Sequence, residues 1–118
     1  MSTACLFLGW DQPKTAQAEA AFGKITRDLL GKLEQFQREG WFERYEVIGL
    51  TPHSGTLNSF CLLFGERAKL DELRRSDAFE RVSMQLAQTF TGYGVFPGVT
   101  LEGLRKVMQR NPDLFGEA

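Results

Sequence analysis

The chain has 118 residues, of which 42% are apolar and 25% charged, with a net charge of -1. This suits one globular domain over residues 1–118, large enough for a core without disulfides or structural metal. A pI near 5.8 excludes the surplus of positive charge that drives binding to nucleic acid or anionic lipid, and no apolar run approaches the roughly 20 residues that span a bilayer. Neither kind of partner is expected.

Ala4 to Trp10 (ACLFLGW) is apolar at almost every position, the pattern of a strand buried on both faces. Leu6, Leu8 and Trp10 point one way, and Cys5 and Phe7 the other. Pro13 or the residue after it opens a helix predicted over about Lys14 to Glu39. Its stripe is Ala18, Phe22, Ile25, Leu29, Leu33 and Phe36. Gly23 and Gly31 each cost this helix about 1 kcal/mol against alanine, and close packing on a sheet is a reason to keep them. Gly40 suits its C-terminal cap.

Trp41 to Thr51 alternates as a second strand, with Trp41, Tyr45 and Val47 on one face and Phe42, Ile48 and Leu50 on the other. Arg44 and Glu46 within it suit a sheet edge. After the loop Thr51-Pro52-His53-Ser54-Gly55, a third strand is expected over Thr56 to Gly65. Leu57, Cys61 and Leu63 share one face, and Phe60, Leu62 and Phe64 the other, as in an interior strand. Glu66 to Arg75 reads as a short amphipathic helix whose charges, among them Arg67, Asp71 and Arg74, form a solvated face. Ser76 and Asp77 offer caps for a longer helix with the stripe Phe79, Val82, Leu86 and Phe90. Gly92 to Gly98 is a final strand, and Pro97 sends it to an edge. Thr100 caps a last helix carrying Leu101, Leu104 and Met108, which Asn111-Pro112 ends.

This order predicts an α+β, ferredoxin-like βαββαβ arrangement with a C-terminal helical appendage. Right-handed crossovers give an antiparallel four-stranded sheet of order 4-1-3-2. The doubly apolar strands then fall inside, and the charged and proline-bearing strands outside. Two helices cover only one face of such a sheet, so the other face is left apolar and needs a cover. The simplest cover is the same face of a second subunit in a two-fold homodimer. The alternative is the segment Thr100 to Phe115 folding across it.

Over roughly residues 3 to 98 the chain resembles the dimeric α+β barrel superfamily. GERAKLDELRRSDAFERV followed by GYGVFPGV is similar to a group of uncharacterised bacterial proteins. The superfamily includes cofactor-free monooxygenases, haem-degrading and haem-peroxidase enzymes, lactone isomerases and stress-response modules. The resemblance implies a fold and a dimer rather than a reaction. The haem branches use a histidine from the helical layer, and the only histidine here, His53, lies in the hairpin loop.

His53 is the candidate general base or acid, being the one side chain that titrates near neutrality when unperturbed. Asn58, polar in an otherwise apolar strand, is the first candidate ligand contact. Strand pairing that brought it near His53 and Tyr45 or Arg44 would make a polar cluster at the hairpin. Trp10, Tyr45 and Tyr93 are candidate ligand-lining aromatics, with core or interface packing as the alternative. One histidine and the separated cysteines Cys5 and Cys61 do not build a zinc site. No P-loop or dinucleotide fingerprint is present, so no cofactor is expected. With no spaced cysteine motif and no signal-peptide pattern after Met1, a cytoplasmic setting is expected.

The function expected first is a small-molecule-binding or regulatory module for a small apolar or aromatic ligand. A cofactor-independent monooxygenase or isomerase with His53 as base, and a structural partner-binding module, are the alternatives.

Overall fold

A computed structural model of the chain describes residues 2–115. The strands are β1 (Ala4–Trp10), β2 (Arg44–Gly49), β3 (Ser59–Gly65) and β4 (Gly94–Val99). They form one four-stranded sheet of order β2-β3-β1-β4, with every neighbouring pair antiparallel. This is the order 4-1-3-2 read from the opposite edge. The helices are α1 (Ala16–Ala20), α2 (Phe22–Arg38), α3 (Arg67–Arg74), α4 (Asp77–Thr89) and α5 (Leu101–Arg110).

The first helix is shorter at its start than expected and is broken. Thr15 caps α1 by accepting from the Ala18 amide, while Pro13 pairs with Phe90 in an isolated bridge. Ala21 leaves helical geometry at φ -91° and ψ 7°, separating α1 from α2. Neither glycine nor proline marks that break. Ser76 caps α4 through the Phe79 amide, leaving Asp77 and Glu80 in the first turn, where their charges complement the helix dipole.

The core lies between the sheet and the helices. Ala4, Leu6, Leu8 and Trp10 of β1 meet Leu29, Leu33 and Phe36 of α2, Leu70 and Leu73 of α3, and Phe79, Val82 and Leu86 of α4. Cys61 and Leu63 of β3 face the same way. Tyr45 and Val47 pair with Leu63 and Cys61 and so share that face. Phe42, expected on the far side from Tyr45, is instead in the core. It precedes the first residue of β2, so the alternation does not apply to it. Leu57 also departs from its expected face. It precedes β3 and approaches the Cβ position of Gly9, on the side away from the helices.

The opposite face carries Phe7, Phe60, Leu62, Phe64 and Phe96. Phe7 stacks on Phe60 with centroids 5.3 Å apart and lies 6.0 Å from Phe96. At one edge Arg44 sits 3.8 Å above the Phe64 ring and pairs with Glu46 at 2.7 Å. The segment Thr100 to Phe115 does not fold across this face, since Phe96 stays 60% exposed and Leu101, Leu104 and Met108 are exposed as well. Arg67 is not part of a solvated helix face. It donates from Nη2 to the Gly98 carbonyl at 2.5 Å, tying the start of α3 to β4.

Candidate functional site

Two concavities deserve comparison, one at the hairpin and one between α2 and α4. The hairpin cleft has a volume of about 280 Å³ and brings together His53 and Asn58 with Asp11, Gln12 and Leu57. The imidazole is already fully engaged there. Its Nδ1 accepts from the Gly55 amide at 2.8 Å, which leaves Nε2–H to donate to the Leu57 carbonyl at 2.6 Å. The ring is therefore held as the Nε2–H tautomer and staples the loop. Asn58 joins the neighbouring strands through its backbone, donating to the Trp10 carbonyl and accepting from the Leu50 amide, both at 2.9 Å.

The other sequence candidates lie elsewhere. Tyr45 pairs with Leu63, five residues along from Asn58, or roughly 17 Å at about 3.4 Å per residue. It packs edge-on against Phe42 with centroids 6.1 Å apart. Arg44 is one residue further away still. Trp10 is buried and stacks on Phe90 at 5.5 Å. Its indole Nε1 has no hydrogen-bond partner among the described residues, an omission that costs about 1–3 kcal/mol for a buried donor. The Tyr93 hydroxyl is 2.5 Å from the Ser83 hydroxyl. Burial pushes the Tyr93 phenol up, and the Ser83 hydrogen bond opposes that rise.

The larger concavity is a half-open cleft of about 560 Å³ between α2 and α4. Ile25, Leu29, Val82 and Leu86 form its apolar base, on the same stripes that feed the core. These two helices approach each other closely at few points, so their facing flanks leave a trough. Gly31 widens it. Nothing lies within 4 Å of the position a Cβ would take there, so this glycine serves open space rather than close packing on the sheet.

The upper wall of the trough is polar, with Arg27, Asp28, Lys32 and Gln35 from α2 and Gln85 and Thr89 from α4. Asp28 is paired with Lys24 at 2.9 Å, so among the described residues the rim charges without an ion-pair partner are Arg27 and Lys32. An apolar base under a basic rim suits a molecule with an apolar body and an anionic or hydrogen-bond-accepting end. None of these residues stood out in the sequence as a site. The one local signal was Gly31, a glycine on the exposed side of a helix.

Neither thiol is presented as a nucleophile. Burial pushes the Cys61 thiol up to about 12. Burial also raises Cys5, and the Arg67 charge partly offsets it. Among the described residues no group of three or more His, Cys, Asp or Glu side chains is placed to hold a metal ion. No described helix is long and apolar enough to cross a membrane.

No protein-family model matches the chain, and no curated protein matches it either. Solved structures do. A Bacteroides fragilis protein of unknown function, described as dimeric and ferredoxin-like, aligns with a TM-score of 0.62 at 9% identity, over 85% of this chain and 98% of that one. An EthD family protein from Bacillus halodurans aligns at 0.57 and 14%, over 84% and 99%. A Pseudomonas aeruginosa protein aligns at 0.58 and 16%, over 86% and 96%. At such identities the likeness is one of architecture, and the chain has the ferredoxin-like fold.

Proposed function

We propose that this chain is a homodimeric small-molecule-binding module, paired through its open sheet face, with a ligand seat between α2 and α4. The observation that carries the binding reading is the 560 Å³ trough with its apolar base, a volume in the range of about 300–1,000 Å³ typical of ligand sites. Its ligand class is a small molecule with an apolar or aromatic body and an anionic end reaching Arg27 or Lys32. The pairing is supported by the aromatic cluster on the uncovered face, and by the dimeric description of the Bacteroides fragilis protein of like fold. The engaged ring of His53 favours binding over the monooxygenase or isomerase reading, since a base at Nδ1 would first have to give up the Gly55 amide.

The test uses 1-anilinonaphthalene-8-sulfonate, an aromatic probe with one anionic group. Gly31→Trp fills the trough from a position where nothing lies within 4 Å, and should weaken probe binding by about tenfold or more. Leu62→Glu on the open face should leave trough binding intact while shifting sedimentation towards the monomer. Unchanged probe binding in Gly31→Trp would sink the trough as the seat. A wild-type monomer at micromolar concentration would sink the pairing.

A further inference from the structure

The C-terminal helix is built into the fold in an unusual way. Its start is anchored firmly: the Thr100 amide donates to the Thr3 carbonyl at 3.2 Å, and the Thr100 hydroxyl donates to the Ser2 carbonyl at 3.0 Å. The Thr100 hydroxyl also caps the helix by accepting from the Gly103 amide at 3.1 Å. Gly103 then passes so close to Thr3 that a Cβ would stand 2.0 Å from the Thr3 carbonyl oxygen. This contact sets the direction in which α5 leaves β4. Beyond it the helix projects with its apolar stripe outward, Leu101 being 64% and Leu104 40% exposed. Leu114 and Phe115 extend the exposed apolar run. The molecule is correspondingly long, at 56 Å on its major axis with a radius of gyration of 16.2 Å, where a compact chain of this length would have about 13.5 Å.

A rigidly aimed helix that offers its apolar side to solvent has its partner outside the chain. Three observations favour a second copy. The arm starts at the β4 margin: Phe96 is exposed on the open face, Val99, paired with Ala4, is exposed on the helix side of the same strand, and Leu101, Leu104 and Met108 follow, so the exposed apolar run adjoins the rim of the open face. That face alone is small: four strands about 4.8 Å apart and seven residues rising about 3.4 Å each project to roughly 450 Å². A stable interface needs about 800 Å² a side. Finally, the opposite edge strand, β2, leaves Ile48 exposed on the open face and Val47 exposed on the helix side, so apolar side chains flank a sheet edge on which an arm can land.

We infer that α5 is an arm that clasps a second copy of this chain, laying Leu101, Leu104 and Met108 against the β2 edge of the partner while the open faces meet. The inference rests on the sheet-face pairing proposed above and adds a component that can fail separately. In a two-fold arrangement both arms are used, each completing the cover of the other subunit's face.

The full chain and the double variant Leu104→Glu/Met108→Glu are compared by sedimentation velocity across nanomolar to micromolar concentration. Both side chains are exposed in the single chain, so circular dichroism should show an unchanged fold. The expected result is a dimer dissociation constant weakened by about tenfold or more. In a Cys5→Ser background, Ile48→Cys with Met108→Cys should give a covalent dimer on mild oxidation. A wild-type dimer with an unchanged constant in the double variant overturns the arm and leaves the sheet-face pairing standing. A wild-type monomer removes both. Co-sedimentation of the wild type with phosphatidylserine–phosphatidylcholine vesicles, lost in the double variant while dimerisation is unchanged, overturns the inference in favour of a membrane-surface role for the basic Arg105, Lys106 and Arg110.

Discussion

Phe7 lies along its own strand with its ring over Gly9, so close that a Cβ at residue 9 would stand 2.6 Å from the ring. Phe96 does the same over Gly94 on β4, where the distance is 2.8 Å. Gly9 and Gly94 are paired across β1 and β4, so the two glycines form one flat floor beneath two aromatic rings. Both substitutions crowd a ring, but the rings differ in freedom. Phe7 is hemmed in by Phe60, Phe96 and Leu57, whereas Phe96 is largely exposed. Gly9→Ala should therefore cost about 1–3 kcal/mol in urea unfolding, as overpacking does. Gly94→Ala should cost less, because Phe96 swings outward.

Gly31 gives the opposite expectation. It sits inside α2 with nothing near its Cβ position, so alanine there gains helix propensity without a clash. Gly31→Ala should raise stability by up to about 1 kcal/mol. Thermal unfolding measures it. A loss of stability would mean that the trough is filled in solution.

The His53 staple predicts a local effect. His53→Ala removes two hydrogen bonds on an exposed loop, worth together about 1 kcal/mol. Amide exchange at Gly55 should accelerate, while probe binding in the α2–α4 trough stays unchanged. Slow exchange at Gly55 in the variant would show that the loop is held by other contacts.

Cys61 links stability to alkaline pH. Its thiol ionises near 9.0 in an unfolded chain, and burial pushes it up to about 12 in the fold. The folded state keeps its proton longer, so this stabilisation is complete below pH 9 and is lost as pH rises towards 12. At full effect the slope is about 1.4 kcal/mol per pH unit. The raised Tyr93 phenol acts in the same direction. Cys61→Ala should flatten the alkaline slope measured by urea unfolding, whatever it does to stability at neutral pH.

Much of the architecture was legible because a strand's period is two. Right-handed crossovers set the sheet order, and the double-sided pattern of Ala4–Trp10 and the charges of Arg44 and Glu46 agreed with it. The period-two rule misplaced Phe42 and Leu57, since both lie just outside their strands, where alternation no longer fixes direction. The site was harder to read. Ile25, Leu29, Val82 and Leu86 occupy ordinary core stripes, and only the divergence of two helices turns them into the base of a trough. That divergence is a tertiary quantity with no local code. His53 was visible as a residue, but its bonds run to backbone atoms two and four positions on, and they depend on the shape of the turn.

The two edges of the sheet carry a consequence for how the protein behaves when crowded. Pro97 interrupts the row of N–H donors along β4, and Arg44 and Glu46 put an ion pair on β2. A sheet blunted at both margins does not recruit strand after strand, so it is a poor seed for fibrils. In the proposed dimer, association is left to the broad face and the α5 arm, which one partner occupies. Growth then stops at a closed particle, and concentrated solutions of this chain should remain clear and free of thioflavin-positive filaments.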